Sequence, residues 1–381
     1  MNDLYRVDGV NVSEGDNFSK FAKTICTRSY GNSPFVEVTD LAPNSFRGPR
    51  MFRLKEDLPK KIGFDAAPDG IGTKVILIDA ASMHGQAASN LIAMTNGDIT
   101  RWGGKGIVFF NVLDVETLGE NGDEVNVNYR RMMGGLGEIA RREGFVCFRG
   151  ETAELSVCIG SENPVAGNKF NWSGVMLGMY LPDRAITGDT LAPGQAVIAL
   201  CERGFRSNGI SSARAALRIR FGDEWYKNPE AASPIRDIAS PATLYDCFLT
   251  EMNGWRYPLS KPLVQIHAIA HISGGGIVDK FWKDLLVPKG LSAELSNLYE
   301  MPSTMQDVVA WRGMAEKEAY KTFCCGSGAL VVIDRQQGSS FVRKAEEYGL
   351  EAQACGTITQ EQTPTLAICS PQTGDLLEYT Q

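Results

Sequence analysis

No sustained block of lysine and arginine runs through this chain, and its formal net charge is −7. A surface built to hold a nucleic-acid backbone needs clustered positive charge, so nucleic-acid binding is excluded as the main function. The pairs Arg130-Arg131 and Arg141-Arg142 read instead as the solvated face of one helix. No apolar run approaches the roughly 18 residues that a membrane-spanning helix needs. Met1-Asn2-Asp3-Leu4 has neither a basic nor an apolar leader region, so no secretory signal is expected. The nine cysteines form no C-x-x-C pair, and the adjacent Cys324 and Cys325 have poor metal-ligand spacing. A structural zinc site is therefore not expected, and those two residues read as small packed apolar side chains. Free thiols in odd number fit a reducing, cytoplasmic setting. The Walker A spacing G-x-x-x-x-G-K-[S/T] is absent too.

What the chain has in quantity is glycine, 40 in 381 residues, on an ordinary globular background of 43% hydrophobic and 22% charged residues. The length suits two domains or one large one. Helical periodicity is clearest over 126–142, where Met132, Met133, Leu136, Ile139 and Ala140 form one stripe and Gly144 suits the stop. Segments 20–27, 87–94, 208–220, 244–252, 277–285 and 341–348 also read as helices. Short strands are expected at 34–39, 62–66, 75–78, 107–110, 145–148, 172–181, 196–201, 264–269 and 329–333. Segment 43–53 reads as a loop, and the tail after Gly356 gives few signals. Strands and helices alternate in both halves, which means an α/β or α+β fold. Pro182-Asp183 and Gly188-Asp189 mark a boundary, so two domains are expected at 1–186 and 187–381.

Four phrases carry chemistry. Asp69-Gly70-Ile71-Gly72-Thr73-Lys74 puts a carboxylate, two glycines, a hydroxyl and an ammonium together. Carboxylate oxygens suit Mg²⁺, an ammonium suits phosphate, and glycines let backbone approach a ligand. Asn96-Gly97-Asp98 and Arg149-Gly150-Glu151-Thr152-Ala153-Glu154 repeat the style. Together they offer Asp69, Asp98 and Glu151 as three oxygen donors in turns beside strands. Ser273-Gly274-Gly275-Gly276 follows Ala270-His271-Ile272 and reads as a nest of backbone N–H groups for an anion.

In order, these phrases resemble those of the phosphoribosylformylglycinamidine cyclo-ligase (aminoimidazole ribonucleotide synthetase) family, over about residues 5–333. Tyr5 with Gly9-Val10 is similar to that family's opening. Asp69 to Lys74 matches D-G-x-G-T-K, and Gly150 to Glu154 matches G-E-T-A-E. Asn90 to Met94 with Asp98 resembles D-L-V-A-M…N-D. Ser207-Asn208-Gly209 matches S-N-G, Ala270 to Gly276 resembles A-H-I-T-G-G-G, and Thr322-Phe323 with Gly326 and Gly328 resembles T-F-N-M-G-I-G. The pattern departs at Gly97, Arg149, Arg206, Asn171, Lys280 and Lys283.

The resemblance implies a two-domain fold whose N-terminal domain binds ATP and Mg²⁺ and pairs into a barrel-like homodimer core. It implies a C-terminal α/β domain that binds a phosphorylated substrate. Asp69, Asp98 and Glu151 would hold Mg²⁺. Asp69, Gly70, Gly72, Thr73, Lys74, Asp98, Gly150, Glu151 and Thr152 would form the nucleotide site, with Asp69, Lys74, Asp98 and Glu151 as the catalytic set. Arg206, Ser207, Asn208, Gly209, His271, Gly274, Gly275 and Gly276 would bind substrate. Arg206 is open between a phosphate ligand and surface, and His271 between site and structure. The implied reaction is the ATP-dependent closure of formylglycinamidine ribonucleotide to aminoimidazole ribonucleotide, with release of ADP and phosphate. The departures leave two alternatives: a relative that activates another substrate with ATP, or an inactive nucleotide-binding homologue.

Overall fold

The computed structural model describes residues 11–42 and 48–381, so the opening phrase at Tyr5 and Gly9-Val10 lies outside the described residues. The chain divides into two compact units. The first holds Met1–Ile99, Gly104–Pro182 and Tyr257–Leu259; the second holds Thr100–Gly103, Asp183–Arg256 and Ser260–Gln381. Both mix helices with sheet, giving an α/β (α+β) fold. No described helix is long and apolar enough to cross a membrane.

Unit 1 begins with α1 (Val12–Ser29), capped where Asn11 Oδ1 accepts from the Glu14 amide at 3.1 Å. Next come β1 (Val36–Asp40) and β2 (Arg50–Leu54), paired antiparallel. The strand β2 corrects the expectation of a loop through 53, because pairing with β1 outweighs local composition. Then follow β3 (Gly63–Gly70), α2 (Val75–Ala80), α3 (Ala87–Thr100), β4 (Lys105–Val115), α4 (Glu124–Glu143), β5 (Val146–Glu154) and β6 (Phe170–Tyr180). The sheet order is β3-β6-β4-β5, with β4 and β5 parallel and the other pairs antiparallel.

Segment 75–78 is helical, not a strand. A four-residue apolar run does not set a period, and Leu77 and Ile78 are buried equally well from a helix. Helix α3 continues past Met94 to Thr100, so Asp98 stands in its last turn and not in a loop. Helix α4 forms as its stripe requires, and Gly144 closes it in the left-handed region at φ 75°. One face of the sheet packs on α3: a Cβ on Gly178 would strike Ile99, and one on Gly106 would strike Asn96.

Unit 2 contains β7 (Ala196–Cys201), α5 (Ile210–Phe221), α6 (Ala232–Ala239), α7 (Asp246–Met252) and β8 (Ile266–His271). A π-helical segment, Val278–Leu286, leads to β9 (Ser292–Leu295), α8 (Ser303–Trp311), α9 (Glu316–Thr322) and β10 (Ser327–Ile333). The chain ends with α10 (Gly338–Glu347), β11 (Ala352–Thr359), β12 (Thr365–Cys369) and β13 (Leu376–Thr380). Its seven-stranded sheet runs β13-β12-β9-β11-β7-β10-β8. β12 pairs parallel to β9 and the other pairs are antiparallel. Ile198, Leu200, Val331 and Ile333 pack against Phe248 and Phe341 in the core. Cys324 and Cys325 are buried, as small apolar side chains would be.

Candidate active site

In unit 1, Asp69 sits at the end of β3 and the chain turns after it through Gly72, at φ 64°. Gly70 is closely packed, since a Cβ there would lie a tight 3.2 Å from the Trp172 carbonyl oxygen. Gly72 and Thr73 are exposed. Asp69 Oδ1 accepts from the Gly70 amide at 2.6 Å. Burial lifts the Asp69 pKa above the ordinary carboxylate range; the Gly70 amide pulls it down, and the negative charge of Asp98 adds to the rise. Asp98 lies in the last turn of α3. Two carboxylates in electrostatic contact are a donor set suited to a hard cation. Mg²⁺ is commonly held by one or two carboxylates plus substrate phosphates, so the pair fits it without a third protein ligand.

Lys74 does not stand at the surface of this loop. It is fully buried, and its Nζ donates to Asn90 Oδ1 at 2.8 Å. The ammonium therefore joins the D-G-x-G-T-K phrase to α3 beneath it.

Gly150, Glu151 and Thr152 lie within β5, not in a turn. Residues Asp69, Gly174, Asn111 and Gly150 are paired in succession across the four strands. At about 4.8 Å per strand, β5 is roughly 14 Å from Asp69. Glu151 belongs to the next row, paired with Val112, so it faces the opposite side of the sheet from Asp69. Among the described residues no group of three His, Cys, Asp or Glu side chains is placed to hold a metal ion. Within one chain the expected trio resolves into the Asp69–Asp98 pair and a separate Glu151.

The Gly150 region instead borders a cavity of about 500 Å³, whose lining includes Lys23, Arg50, Arg149, Glu151, Met133 and Leu136. Three cations against one carboxylate make it receptive to an anion with an apolar part. Arg149 donates to the Gly48 carbonyl at 3.4 Å. Burial pushes the Cys26 thiol at its edge up to about 11, with the Arg50 charge pulling the other way. Glu154, unassigned from sequence, is a clasp: it accepts from the Asn11 and Leu118 amides, each at 2.8 Å. Among the described residues only the second glutamate of G-E-T-A-E does this, and nothing in the phrase distinguishes the two.

In unit 2 four contacts bring the phrases together. Arg206 Nη2 lies 3.3 Å from His271 Nδ1. Asn208 Oδ1 is 3.6 Å from the position of a Cβ on Gly274. A Cβ on Gly209, at φ 72°, would meet the Phe323 ring at 2.5 Å. One on Gly276, at φ 62°, would strike the Tyr320 carbonyl oxygen. Ser207, Asn208 and Gly209 thus lead into the N-terminus of α5 beside the glycine run.

Arg206 is neither a surface residue nor an open phosphate ligand. It is 1% exposed, at φ 51°, and its guanidinium is engaged by Glu202 Oε2 at 3.3 Å and the Thr243 carbonyl at 3.3 Å. The Glu202 carboxylate that holds it also accepts from the Gly204 and Thr243 amides. The glycine run is a partial nest: Asp279 stands over Gly275, where a Cβ would strike its carboxylate. Lys280 and Lys283 pair with Asp284 at 3.2 Å and Asp279 at 2.7 Å.

Residues 192–369 match the family described as AIR synthase related protein, C-terminal domain. Over 372 residues the chain is 23% identical to the phosphoribosylformylglycinamidine cyclo-ligase of Prochlorococcus marinus (strain MIT 9301), covering 97% of this chain and 99% of the relative. A solved hydrogenase maturation protein HypE in complex with ATP aligns over 86% of both chains, at 13% identity and TM-score 0.55. Thiamine-monophosphate kinase from Stenotrophomonas maltophilia K279a covers 85% of this chain and 89% of its own, at 12% identity and TM-score 0.56. The two structural likenesses describe the fold.

Proposed function

We propose that this chain, as a divergent member of the AIR synthase related family, uses ATP and Mg²⁺ to close formylglycinamidine ribonucleotide to aminoimidazole ribonucleotide. The observation that carries this reading is the Asp69–Asp98 pair at the rim of an exposed Gly72-Thr73 turn. Bound Mg²⁺ would supply charge neutralisation for the ATP phosphates. Asp69 and Asp98 would hold it, while the Gly70 amide fixes the Asp69 carboxylate. Lys74 would support the loop from below through Asn90. Gly150, Glu151 and Thr152, beside the cationic cavity, would contact the nucleotide away from that pair. In unit 2, Ser207, Asn208, His271 and Gly274 would hold the substrate.

The chemistry asks for positioning more than covalent help. The γ-phosphoryl group passes to the formyl oxygen, which becomes a phosphate leaving group. The neighbouring substrate nitrogen attacks the activated carbon, the ring closes and phosphate departs. The other face of the unit 1 sheet carries Phe64, Pro68, Phe110, Val112, Val175 and Leu177, with Phe64 54% and Val112 40% exposed. An apolar face of that kind supports pairing of two chains through this sheet.

A second reading, an ATP-using relative with another substrate, is favoured by the internal Arg206 where the family phrase has histidine. One assay separates them. The purified protein is incubated with formylglycinamidine ribonucleotide, ATP and Mg²⁺, following aminoimidazole ribonucleotide and ADP, with Asp69→Asn as control. Equal product and ADP, lost in the variant, supports the cyclo-ligase. Stabilisation by ATP and Mg²⁺ without product supports the second reading. Absence of both sinks the ATP site.

A further inference from the structure

His271 ends β8, directly before the glycine run, and is 5% exposed. Its two ring nitrogens meet different surroundings. Nδ1 lies 3.3 Å from Arg206 Nη2. Nε2 is shielded from solvent and has no hydrogen-bond partner among the described residues. A guanidinium has donors and no acceptor, so Nδ1 must be the acceptor of this bond. A neutral ring that accepts at Nδ1 carries its proton on Nε2.

Arg206 is itself held firmly. Glu202 takes Nη1, the Thr243 carbonyl takes a second bond, and the Tyr245 ring lies 5.6 Å from the guanidinium carbon. Tyr245 also packs edge-on against His271, with ring centroids 6.0 Å apart. The imidazole therefore cannot turn over without breaking a contact to a cation that is itself fixed. Burial, then the charges of Arg206 and Arg101, push the His271 pKa well below its ordinary value, which keeps the ring neutral. Ser207, next to Arg206, also has an Oγ out of solvent with no partner among the described residues.

We propose that Arg206 is a positioning residue acting through His271: it pins the Nε2–H tautomer and thereby presets one N–H donor, beside Ser207 and Asn208, for an oxyanion of the bound substrate. This rests on the placement of substrate in unit 2 proposed above. A buried donor left without a partner is costly unless a ligand uses it. The position at which the family phrase carries histidine is thus not vacated in this chain. Its arginine works from behind a second histidine.

The test is nitrogen NMR of the ¹⁵N-histidine-labelled full chain at neutral pH. His271 is assigned by comparison with His271→Gln. A protonated Nε2 and an unprotonated Nδ1 are expected. Arg206→Lys, which keeps a cation beside Glu202, should retain the neutral ring. The double variant Glu202→Gln with Arg206→Met removes the pair together, so that no buried charge is orphaned. It should fold and show tautomer exchange at His271. KM for formylglycinamidine ribonucleotide should rise roughly tenfold, with kcat changed less than about threefold. A protonated Nδ1 in the parent chain, or an unchanged Nε2–H tautomer in the double variant, overturns the role of Arg206. If the tautomer is pinned but saturating ribonucleotide leaves the Nε2–H signal unmoved, the donor role falls and the substrate placement falls with it.

Discussion

Lys74 Nζ donates to Asn90 Oδ1 at 2.8 Å, with both side chains fully buried. That bond fastens the Asp69 turn to α3, the helix that also carries Asp98. Its first consequence is for stability. Lys74→Met keeps most of the volume but removes the donor, and should cost about 1–3 kcal/mol. Denaturant midpoints of the two proteins, compared at equal slope, measure it. An unchanged midpoint with weakened ATP binding would mean that the ammonium serves phosphate alone.

Asp69 predicts a pH dependence. Its pKa in the fold is raised, first by burial and then by Asp98. The ionised form is therefore less at home in the fold than in the unfolded chain. Any contribution to stability is intact below the ordinary carboxylate range and is lost as pH rises through the raised value. At neutral pH the ligand-free protein should accordingly gain from Asp69→Asn, by about 1–2 °C in Tm. The gain should shrink as pH falls through the carboxylate range. The same variant should lose the stabilisation given by ATP with Mg²⁺. Thermal scans across pH, with and without nucleotide, check both halves. A Tm below that of the parent at neutral pH would refute the first.

How far the sequence led depended on how each segment is buried. β7, β10 and α4 were legible because their burial is continuous or strictly periodic. Segment 75–78 was not, because four apolar residues bury as well in a helix as in a strand. Strands β12 and β13 are only partly buried, β13 more exposed than β12, and offer little contrast. In the site, the phrases around Gly209 and Gly276 stood out because backbone and rings approach where a Cβ would be. The inward turn of Arg206 was hidden, since a cation in a polar phrase reads as exposed until its buried partner Glu202 is seen. The shared style of the acidic phrases, with the family resemblance, also suggested that Glu151 would join Asp69; strand pairing sets them on opposite faces.

The two glutamates of the G-E-T-A-E phrase should separate in experiment. Glu154 accepts from the Asn11 and Leu118 amides and from Thr117 Oγ1 at 3.3 Å. Glu154→Ala leaves the two amides without their acceptor and should cost about 1–3 kcal/mol. Glu151 is exposed, so Glu151→Ala should change stability by less than about 0.5 kcal/mol. If Glu151 contacts nucleotide at the cavity edge, its variant should instead weaken ATP binding. Equilibrium unfolding paired with nucleotide titration gives both numbers, and equal destabilisation by the two variants would contradict the assignment.

Gly274 and Gly276 make the sharpest pair. Gly276 has φ 62°, and a Cβ there would strike the Tyr320 carbonyl oxygen while lying 3.0 Å from that of Phe323. Gly276→Ala should therefore cost about 1–3 kcal/mol from backbone strain alone, with the collision added to it. Gly274 is exposed, and a Cβ would meet only Asn208 Oδ1, at an ordinary 3.6 Å. Gly274→Ala should then fold within about 0.5 kcal/mol of the parent. Its methyl group would project beside Asn208, where substrate is proposed to sit. Affinity for formylglycinamidine ribonucleotide should fall by roughly tenfold, the equivalent of about 1.4 kcal/mol. Calorimetric titration of the folded variant reads this directly. Unchanged affinity in Gly274→Ala, with Gly276→Ala unfolded, would leave the glycine run a structural turn. Loss of affinity at full stability would make it the wall of the substrate site.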